Sequence, residues 1–250
     1  MSTATARISW QRDTRRRLCA PGEGPALHGQ VGEAWLGAVR EALPPGGGHL
    51  DLGCGAGRMT FALADRWSPG GWSVGADRDE EALAQARERA RQEGLAGARF
   101  IRWDVEREEF GPLLPGRPPD LITAHLCMSP EIAERAARAL PTGGVFAFAA
   151  LHPDLWREAG RASRFALDED EAQALLLRHG LVPAFLRVEK EVLRFRDARE
   201  AIEGFFRNGE AVPRWRGDGR WDALLAHIRG GGRTVTARAQ VQCVARKAPA

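Results

Sequence analysis

The stretch LDLGCGAG, residues 50–57, decides the fold, because a short apolar run leads into a glycine-rich loop that opens a helix predicted over residues 58–67. Without side chains, the three glycines let the backbone approach a bound ligand closely, and the amino end of a helix favours a negatively charged group. Spaced glycines alone are a weak signal. The signal is strengthened here by a carboxylate, Asp77, that follows the next predicted strand, 24 residues after Gly53. A carboxylate at that place can accept hydrogen bonds from both hydroxyls of a ribose.

Strands and helices alternate on both sides of this loop. The predicted strands cover residues 49–52, 71–76, 98–103, 120–124 and 145–150. The predicted helices cover residues 26–43, 58–67, 79–93 and 129–140. Such alternation indicates right-handed crossovers between parallel strands. Asp51, Asp77 and Asp104 follow successive strands at intervals of 26 and 27 residues, and one crossover unit takes about 30 residues. The spacing therefore places all three carboxylates at one edge of the sheet, where doubly wound folds bind ligands.

The pattern beyond residue 151 is less regular. It predicts helices over residues 167–179, 197–206 and 221–228, a long strand over 184–195, and an exposed loop over 208–219. Residues 234–244 alternate in period 2, which is typical of an edge or antiparallel strand. Together these elements predict an α/β fold that is doubly wound, with a mostly parallel seven-stranded sheet, an antiparallel last strand and a small lid or cap.

The composition is that of a globular chain. With 250 residues, 44% hydrophobic and 28% charged, it can form one large α/β domain. It contains no run of about 18 apolar residues, which argues against a membrane span, and the polar, basic residues 1–17 do not resemble a signal peptide. Four cysteines are scattered without the spacing of metal ligands, so we expect no disulfide framework, no metal and a cytoplasmic location.

The net charge of +3 conceals an asymmetry, since residues 1–20 carry +4, residues 205–250 carry +6 and the body between them carries −7. Basic ends can attract an anionic substrate or a nucleic acid. However, 34 of the 36 basic residues are arginine, which is typical of a coding bias. A nucleic-acid partner is therefore the less favoured interpretation.

A dinucleotide-binding domain is the nearest competitor for the glycine loop. Its GxGxxG pattern needs a third glycine for close packing of helix and strand. In this chain Arg58 occupies that position, and the third glycine comes one residue early, at Gly57. The loop therefore argues against a nicotinamide or flavin enzyme.

Five short motifs, in the right order, resemble those of class I S-adenosylmethionine-dependent methyltransferases. They lie within residues 27–150 and read LDLGCGAG (50–57), GAD (75–77), RWDV (102–105), PDLI (119–122) and LPTGG (140–144). The resemblance implies S-adenosylmethionine as cofactor, a cofactor core over residues 46–151, and a lid with C-terminal strands over residues 152–250. Residues 26–250 would form this methyltransferase domain, and residues 1–25 an N-terminal extension.

The resemblance also implies roles for single residues. Gly53, Gly55 and Gly57 would admit the methionine part of the cofactor, and Asp51 would order the loop or meet the cofactor's amino group. Asp77, with Arg78 beside it, would bind the ribose. Adenine would contact Asp104 and Val105, and the sulfonium would lie beside the backbone of Ala124 and His125.

Each acid also has a purely structural interpretation. Asp51 and Asp77 can cap the helices that follow them, and Asp104 can belong to a turn. Three acids in register with a glycine loop favour the functional interpretation for the set.

Residues for the methyl acceptor are harder to identify, because a sulfonium methyl is already activated and transfer needs mainly positioning. His125 is either a general base or part of the pocket wall. His152 either orients a substrate or forms a turn hydrogen bond to the backbone. Arg157, followed by Arg161 and Arg164 in an expected lid helix, either grips an acidic substrate or forms a solvated surface.

The acceptor is expected to be a small molecule, methylated on oxygen, nitrogen or a carboxyl group. The fourth strand ends in HLCM, residues 125–128, without the Asn/Asp-Pro-Pro-aromatic motif of nucleic-acid amino methyltransferases. The tail weakly resembles trans-aconitate and malonyl-carrier-protein methyltransferases. The alternatives are an RNA-directed methyltransferase and a non-catalytic cofactor-binding module.

Overall fold

The computed structural model describes residues 12–19, 32–160, 163–205 and 215–249. They contain eight strands, β1 (Arg12–Cys19), β2 (Gly48–Leu52), β3 (Trp72–Asp77), β4 (Ala98–Arg102), β5 (Leu121–His125), β6 (Val145–Leu151), β7 (Leu181–Arg194) and β8 (Thr234–Lys247). These form one sheet in the order β1-β7-β8-β6-β5-β2-β3-β4. Only β8 runs antiparallel to its neighbours. The prediction of a doubly wound, mostly parallel sheet with an antiparallel last strand is confirmed.

The helices are α1 (Glu33–Ala42), α2 (Arg58–Ala62), α3 (Ala64–Trp67), α4 (Glu80–Gln92), α5 (Pro130–Ala139), α6 (Glu169–Arg178) and α7 (Arg220–Arg229). The single helix predicted over residues 58–67 is wrong, because the chain leaves helical geometry at Leu63 and forms two short helices. The break accompanies burial of Trp67, whose indole Nε1 donates to the carbonyl of Thr60 at 3.0 Å. The helix predicted over residues 197–206 is a six-residue π-helix, Glu200–Phe205.

Strand β1 was not predicted and gives the sheet one strand more than expected. It pairs in parallel with β7 at the edge of the sheet. Its sequence, RDTRRRLC, has no apolar alternation, and it is held by backbone pairing and by ion pairs such as Arg187 with Asp13 at 3.2 Å. Residues 1–11 and 20–25 of the expected extension, and most of the loop predicted over 208–219, lie outside the described residues.

Strand β8 is not at an edge, and its polar side chains are buried between its neighbours β6 and β7. Arg238, Gln240 and Gln242 are each less than a tenth exposed. Arg238 Nη2 donates to Gln240 Oε1 at 2.8 Å, and Gln242 Nε2 donates to Glu189 Oε2 at 3.2 Å. The period-2 alternation therefore reflects a buried polar network and not a solvated face.

The antiparallel pair of β7 and β8 continues past the carboxyl end of β6. The pairing of β6 with β8 ends at Leu151 and Gln240, whereas the pairing of β7 with β8 continues to Arg194 and Thr234. A separate apolar cluster covers it, including Phe195, Trp215, Leu224, Ile228 and Val235. This cluster is the small cap, and it stands beside the edge where β2 to β5 end.

Within the described residues, no helix is long and apolar enough to span a membrane.

Candidate functional site

The glycine loop after β2 is tightly packed on one side and open on the other. Gly53, Gly55 and Gly57 all have positive φ, at 60°, 50° and 83°. A Cβ atom at Gly53 would lie 2.6 Å from Cys127 Sγ, whereas a Cβ at Gly55 would meet nothing within 4 Å. The loop therefore needs glycine for its conformation, and beside Gly55 it leaves room for a ligand.

A cavity of about 260 Å³ lies over the carboxyl ends of β2 to β5. Its lining contains six residues predicted from the sequence, Gly53, Asp77, Arg78, Asp104, Val105 and His125. It also contains five that were not predicted, Trp103, Glu106, Leu126, Cys127 and Phe165. A second, more open depression of about 560 Å³ lies on the outer side of the glycine loop. Gly55 and His125 both line that depression, so His125 stands at the boundary of the two spaces.

Asp77 joins the end of β3 to the glycine loop. Its Oδ2 accepts a hydrogen bond from the backbone N–H of Gly55 at 2.8 Å, and its Oδ1 accepts from the N–H of Asp79 at 2.9 Å. Asp79, not Asp77, is the N-cap of α4, since its side chain accepts from the amides of Glu81 and Ala82. Asp77 thus combines an anchoring role for the loop with a carboxylate in the cavity wall.

Asp51 lies behind the loop, 1% exposed, and does not line the cavity. Its Oδ2 accepts from the N–H and the hydroxyl of Thr60 in α2, at 3.0 and 2.9 Å, and its Oδ1 accepts from the hydroxyl of Thr123 at 2.9 Å. Burial raises the pKa of Asp51 from 3.8 to about 6, against the opposing effect of these hydrogen bonds. In this position Asp51 orders the start of α2. Gly57 and Ala124 also lie outside the cavity lining.

A buried histidine continues the hydrogen bonds of Asp51 across three strands. His49 Nε2 lies 2.8 Å from Thr123 Oγ1, and His49 Nδ1 lies 2.9 Å from Ser73 Oγ. Because Thr123 donates to the Asp51 carboxylate, it accepts from His49 Nε2, and Nδ1 accepts from Ser73. Complete burial lowers the pKa of His49 to about 3, so the ring is neutral at physiological pH. This chain of polar groups was not predicted, although His49 interrupting an apolar strand was a visible signal.

Asp104 takes part in a turn and also lines the cavity. Its Oδ1 accepts from the N–H of Glu106 at 3.1 Å, and its own N–H donates to Glu108 Oε1 at 2.8 Å. The turn interpretation and the ligand interpretation are therefore compatible. Beside it, Trp103 has a buried indole Nε1 without a hydrogen-bond partner among the described residues. Such a donor is costly to bury unless a ligand or water completes it.

The end of β5 is held in an uncommon backbone conformation. Leu126 has φ +60°, which a branched side chain adopts at an energetic cost, and its N–H donates to the carbonyl of Ala149 at 2.7 Å. This turn brings His125 and Cys127 to the cavity on either side. Trp35 of α1 stacks on His125, with ring centroids 6.3 Å apart and an interplanar angle of 29°. Burial raises the pKa of the Cys127 thiol, so it stays protonated.

His152 and Arg157 do not line the cavity. His152 Nδ1 accepts from the N–H of Asp154 at 3.0 Å, and Nε2 lies 3.3 Å from a carboxylate oxygen of Glu169 in α6. This is the turn arrangement, with both ring nitrogens engaged. Arg157 lies in a 3₁₀ turn, where it contacts the carboxylates of Asp154 and Glu158 at 3.6 and 3.3 Å. Arg161, part of the expected lid helix, lies outside the described residues.

The residues present fit the cofactor that the motifs imply. The cavity offers carboxylates at Asp77 and Asp104 for a nucleoside, and the Trp103 side chain is part of its lining. Val105 and Phe165 supply apolar surface for a base. Beside the cavity, the open side of Gly55 leaves space at the loop.

Comparisons with known proteins agree with this geometry. Residues 45–174, just over half of the chain, match the family described as "Methyltransferase domain". Trans-aconitate 2-methyltransferase from Variovorax paradoxus (strain S110) is 37% identical over 114 residues, which cover 44% of this chain and 40% of that relative. The chain thus spans about two fifths of that relative's length.

Solved structures are similar in fold over nearly the whole chain. The YcgJ protein from Bacillus subtilis has a TM-score of 0.62 at 16% identity, covering 88% of this chain and 100% of its own. YjhP from E. coli has a TM-score of 0.56 at 15% identity, covering 89% and 95%. At these identities the likeness shows the fold alone.

Proposed function

The chain belongs to the methyltransferase domain family, and we propose that it transfers a methyl group to a small-molecule acceptor by in-line displacement. It is an S-adenosylmethionine-dependent methyltransferase, with S-adenosylmethionine as the methyl donor. The observation that carries the proposal is the position of His125, at the boundary between the cavity lined by Asp77 and Asp104 and the open depression beside Gly55. A cofactor with its nucleoside in the first space and its methionine part beside Gly55 would place its sulfonium near His125.

The small size of the acceptor is supported from two sides. The relative named trans-aconitate 2-methyltransferase acts, by its name, on a small carboxylic acid. In this chain, residues 125–128 read HLCM and lack the motif of nucleic-acid amino methyltransferases. We infer a cytoplasmic location from the cysteine usage.

The residues of this chain would act mainly by positioning. Bound S-adenosylmethionine supplies an activated sulfonium methyl group. Asp77 would accept hydrogen bonds from the ribose hydroxyls, and Asp104 from the adenine amine. The glycine loop would admit the methionine part near Gly55. His125, oriented by its stack on Trp35, would either take a proton from the acceptor or shape the pocket wall.

Cofactor binding is tested by calorimetric titration with S-adenosylhomocysteine, the demethylated product. The Asp77→Ala variant should bind at least tenfold more weakly, because a charged hydrogen-bond acceptor for the ribose is lost. Asp79→Ala is the matched control, since Asp79 carries the same charge two residues away, caps α4 and does not line the cavity. Absence of binding to the unaltered protein, or equal affinities for both variants, contradicts the assignment.

The acceptor is tested with a labelled methyl donor and fractionated cell extract. Label in the metabolite fraction supports the proposal, label in RNA points to the RNA-directed alternative, and cofactor binding without label in any fraction points to a non-catalytic module. Once an acceptor is found, His125→Gln separates the two roles of the histidine. Loss of an acidic limb from the pH profile of kcat identifies a general base, and an unchanged profile with altered KM identifies a pocket wall.

A further inference from the structure

Phe165 reaches the cavity from a distant part of the chain. It lies in the segment 163–167, which precedes α6 and is fixed to the end of β6 by the hydrogen bond from Leu167 N–H to the Leu151 carbonyl at 2.9 Å. A bridge between Leu151 and Ala166 adds a second attachment. Phe165 therefore lines the cavity together with Trp103 and Val105, which lie about 60 residues earlier in the sequence.

An ion pair connects this segment to the turn that carries Asp104. Arg164 Nη2 lies 3.6 Å from Glu106 Oε2, and the Arg164 guanidinium carbon lies 3.8 Å from the centroid of the Phe165 ring. Glu106 is itself held, because Arg135 of α5 donates to its backbone carbonyl at 2.7 Å. Arg164 thus contacts both the Phe165 ring and the wall of the cavity at Glu106.

We propose that Phe165 is the outer aromatic wall of the cofactor's adenosine site, and that the Glu106–Arg164 ion pair positions it as a latch. When S-adenosylmethionine binds, the Phe165 ring covers the nucleoside that Asp104 and Val105 meet from the sheet side. Product release then requires this segment to move away. The inference rests on the proposed placement of the nucleoside between Asp77 and Asp104.

The two parts of the latch contribute unequally. Contact between an aromatic side chain and a base strengthens binding by roughly tenfold or more. The Arg164 and Glu106 side chains are 70% and 27% exposed, and an ion pair so open to solvent contributes little. We therefore expect the ring to determine affinity and the ion pair to adjust it by two- to threefold.

The test measures S-adenosylhomocysteine binding to the full chain by calorimetry, and its dissociation rate by surface plasmon resonance. Phe165→Ala should raise Kd about tenfold, chiefly through faster dissociation, because the ring closes the site after the ligand has entered. Phe165→Tyr should restore Kd to within about twofold, because it keeps the aromatic face. Thermal unfolding of each variant shows whether the fold is retained.

The ion pair is tested with Glu106→Gln, Arg164→Gln and the double variant. Each single variant should speed dissociation two- to threefold, and the double variant should be no faster than either, because the two side chains act as one unit. Arg199→Gln is the matched control, since Arg199 forms an exposed ion pair with Glu203 outside the cavity lining. It should leave dissociation unchanged.

Two results would overturn the latch. One is a Phe165→Ala variant that loses thermal stability but keeps Kd within twofold, which would make Phe165 a packing residue only. The other is a set of single variants that dissociate no faster than Arg199→Gln, or a double variant whose effect is the product of the two single effects. If the unaltered protein does not bind S-adenosylhomocysteine, the cofactor placement itself fails. That outcome is distinct from binding that ignores Phe165.

Discussion

Replacing Asp51 by asparagine should change how stability depends on pH. Asp51 is buried, and its pKa is raised from 3.8 to about 6. Well below pH 3.8 the carboxyl is protonated in both the folded and the unfolded chain. As pH rises, the unfolded chain releases this proton first, while the folded chain keeps it until about pH 6. Ionisation therefore costs the folded state about 3 kcal/mol at pH 7, since each pKa unit corresponds to about 1.36 kcal/mol.

Asparagine removes this titration and keeps the local hydrogen bonds. Its Oδ1 can accept from the N–H and hydroxyl of Thr60, and its Nδ2 can donate to Thr123, which then donates to the other tautomer of His49. The contribution of His49 to acid sensitivity is present in both proteins and cancels in their difference.

Urea unfolding followed by circular dichroism, at intervals from pH 4 to pH 7.5, measures that difference. Between these limits Asp51→Asn should gain about 2.4 kcal/mol of stability relative to the unaltered protein. A difference that is flat with pH would show that the carboxyl is not strongly perturbed. If the stability of Asp51→Asn relative to the unaltered protein falls as pH rises, the ionised carboxylate is stabilising and the reasoning is wrong.

Three further predictions use the same unfolding assay. Gly53→Ala should lower the free energy of unfolding by about 3 kcal/mol, from left-handed backbone strain plus the collision with Cys127. Gly143→Ala, with φ +81° but open space around it, should lower it by about 1 kcal/mol. Equal losses of stability would refute the collision. His49→Gln should match the stability of the unaltered protein at pH 8 and exceed it by about 3 kcal/mol at pH 4. The reason is that the pKa of His49 is about 3 in the folded chain and 6.5 in the unfolded chain. A stability difference independent of pH would contradict this. Trp35→Phe should cost about 1–2 kcal/mol, since an indole hydrogen bond to a β8 carbonyl and part of a ring stack are lost; a neutral effect would argue that the indole bond contributes nothing.

The central strands and helices were predictable because local rules decide them. Strand β6 was expected over residues 145–150 and spans Val145–Leu151, since a continuous apolar run is buried on both faces. Helix α5 was expected over residues 129–140 and spans Pro130–Ala139, with Ser129 as its N-cap. The break at Leu63 and strand β1 depend instead on tertiary contacts that the hydrophobic pattern does not show, namely burial of the Trp67 indole and backbone pairing of β1 to β7.

In the candidate site, too, some residues could be predicted from local sequence patterns and others depend on tertiary contacts. The placement of Asp77, Asp104 and His125 at one edge follows from strand spacing, and the structure brings them to one cavity. Phe165 has no local signal, because it acquires its place only when the chain after β6 returns to the end of that strand. Asp51 was expected either to order the loop or to meet the cofactor. Its burial among the hydroxyls of Thr60 and Thr123 favours the first role.

The division also explains why the reaction is easier to infer than the acceptor. An activated methyl group demands little beyond alignment, so no fixed set of catalytic side chains has to appear in the sequence. The residues proposed to hold the donor follow successive strands, whereas no comparable pattern marks residues for the acceptor beyond His125. Trp35 is fully buried, so it would influence the acceptor only through the orientation of the His125 ring that it stacks on.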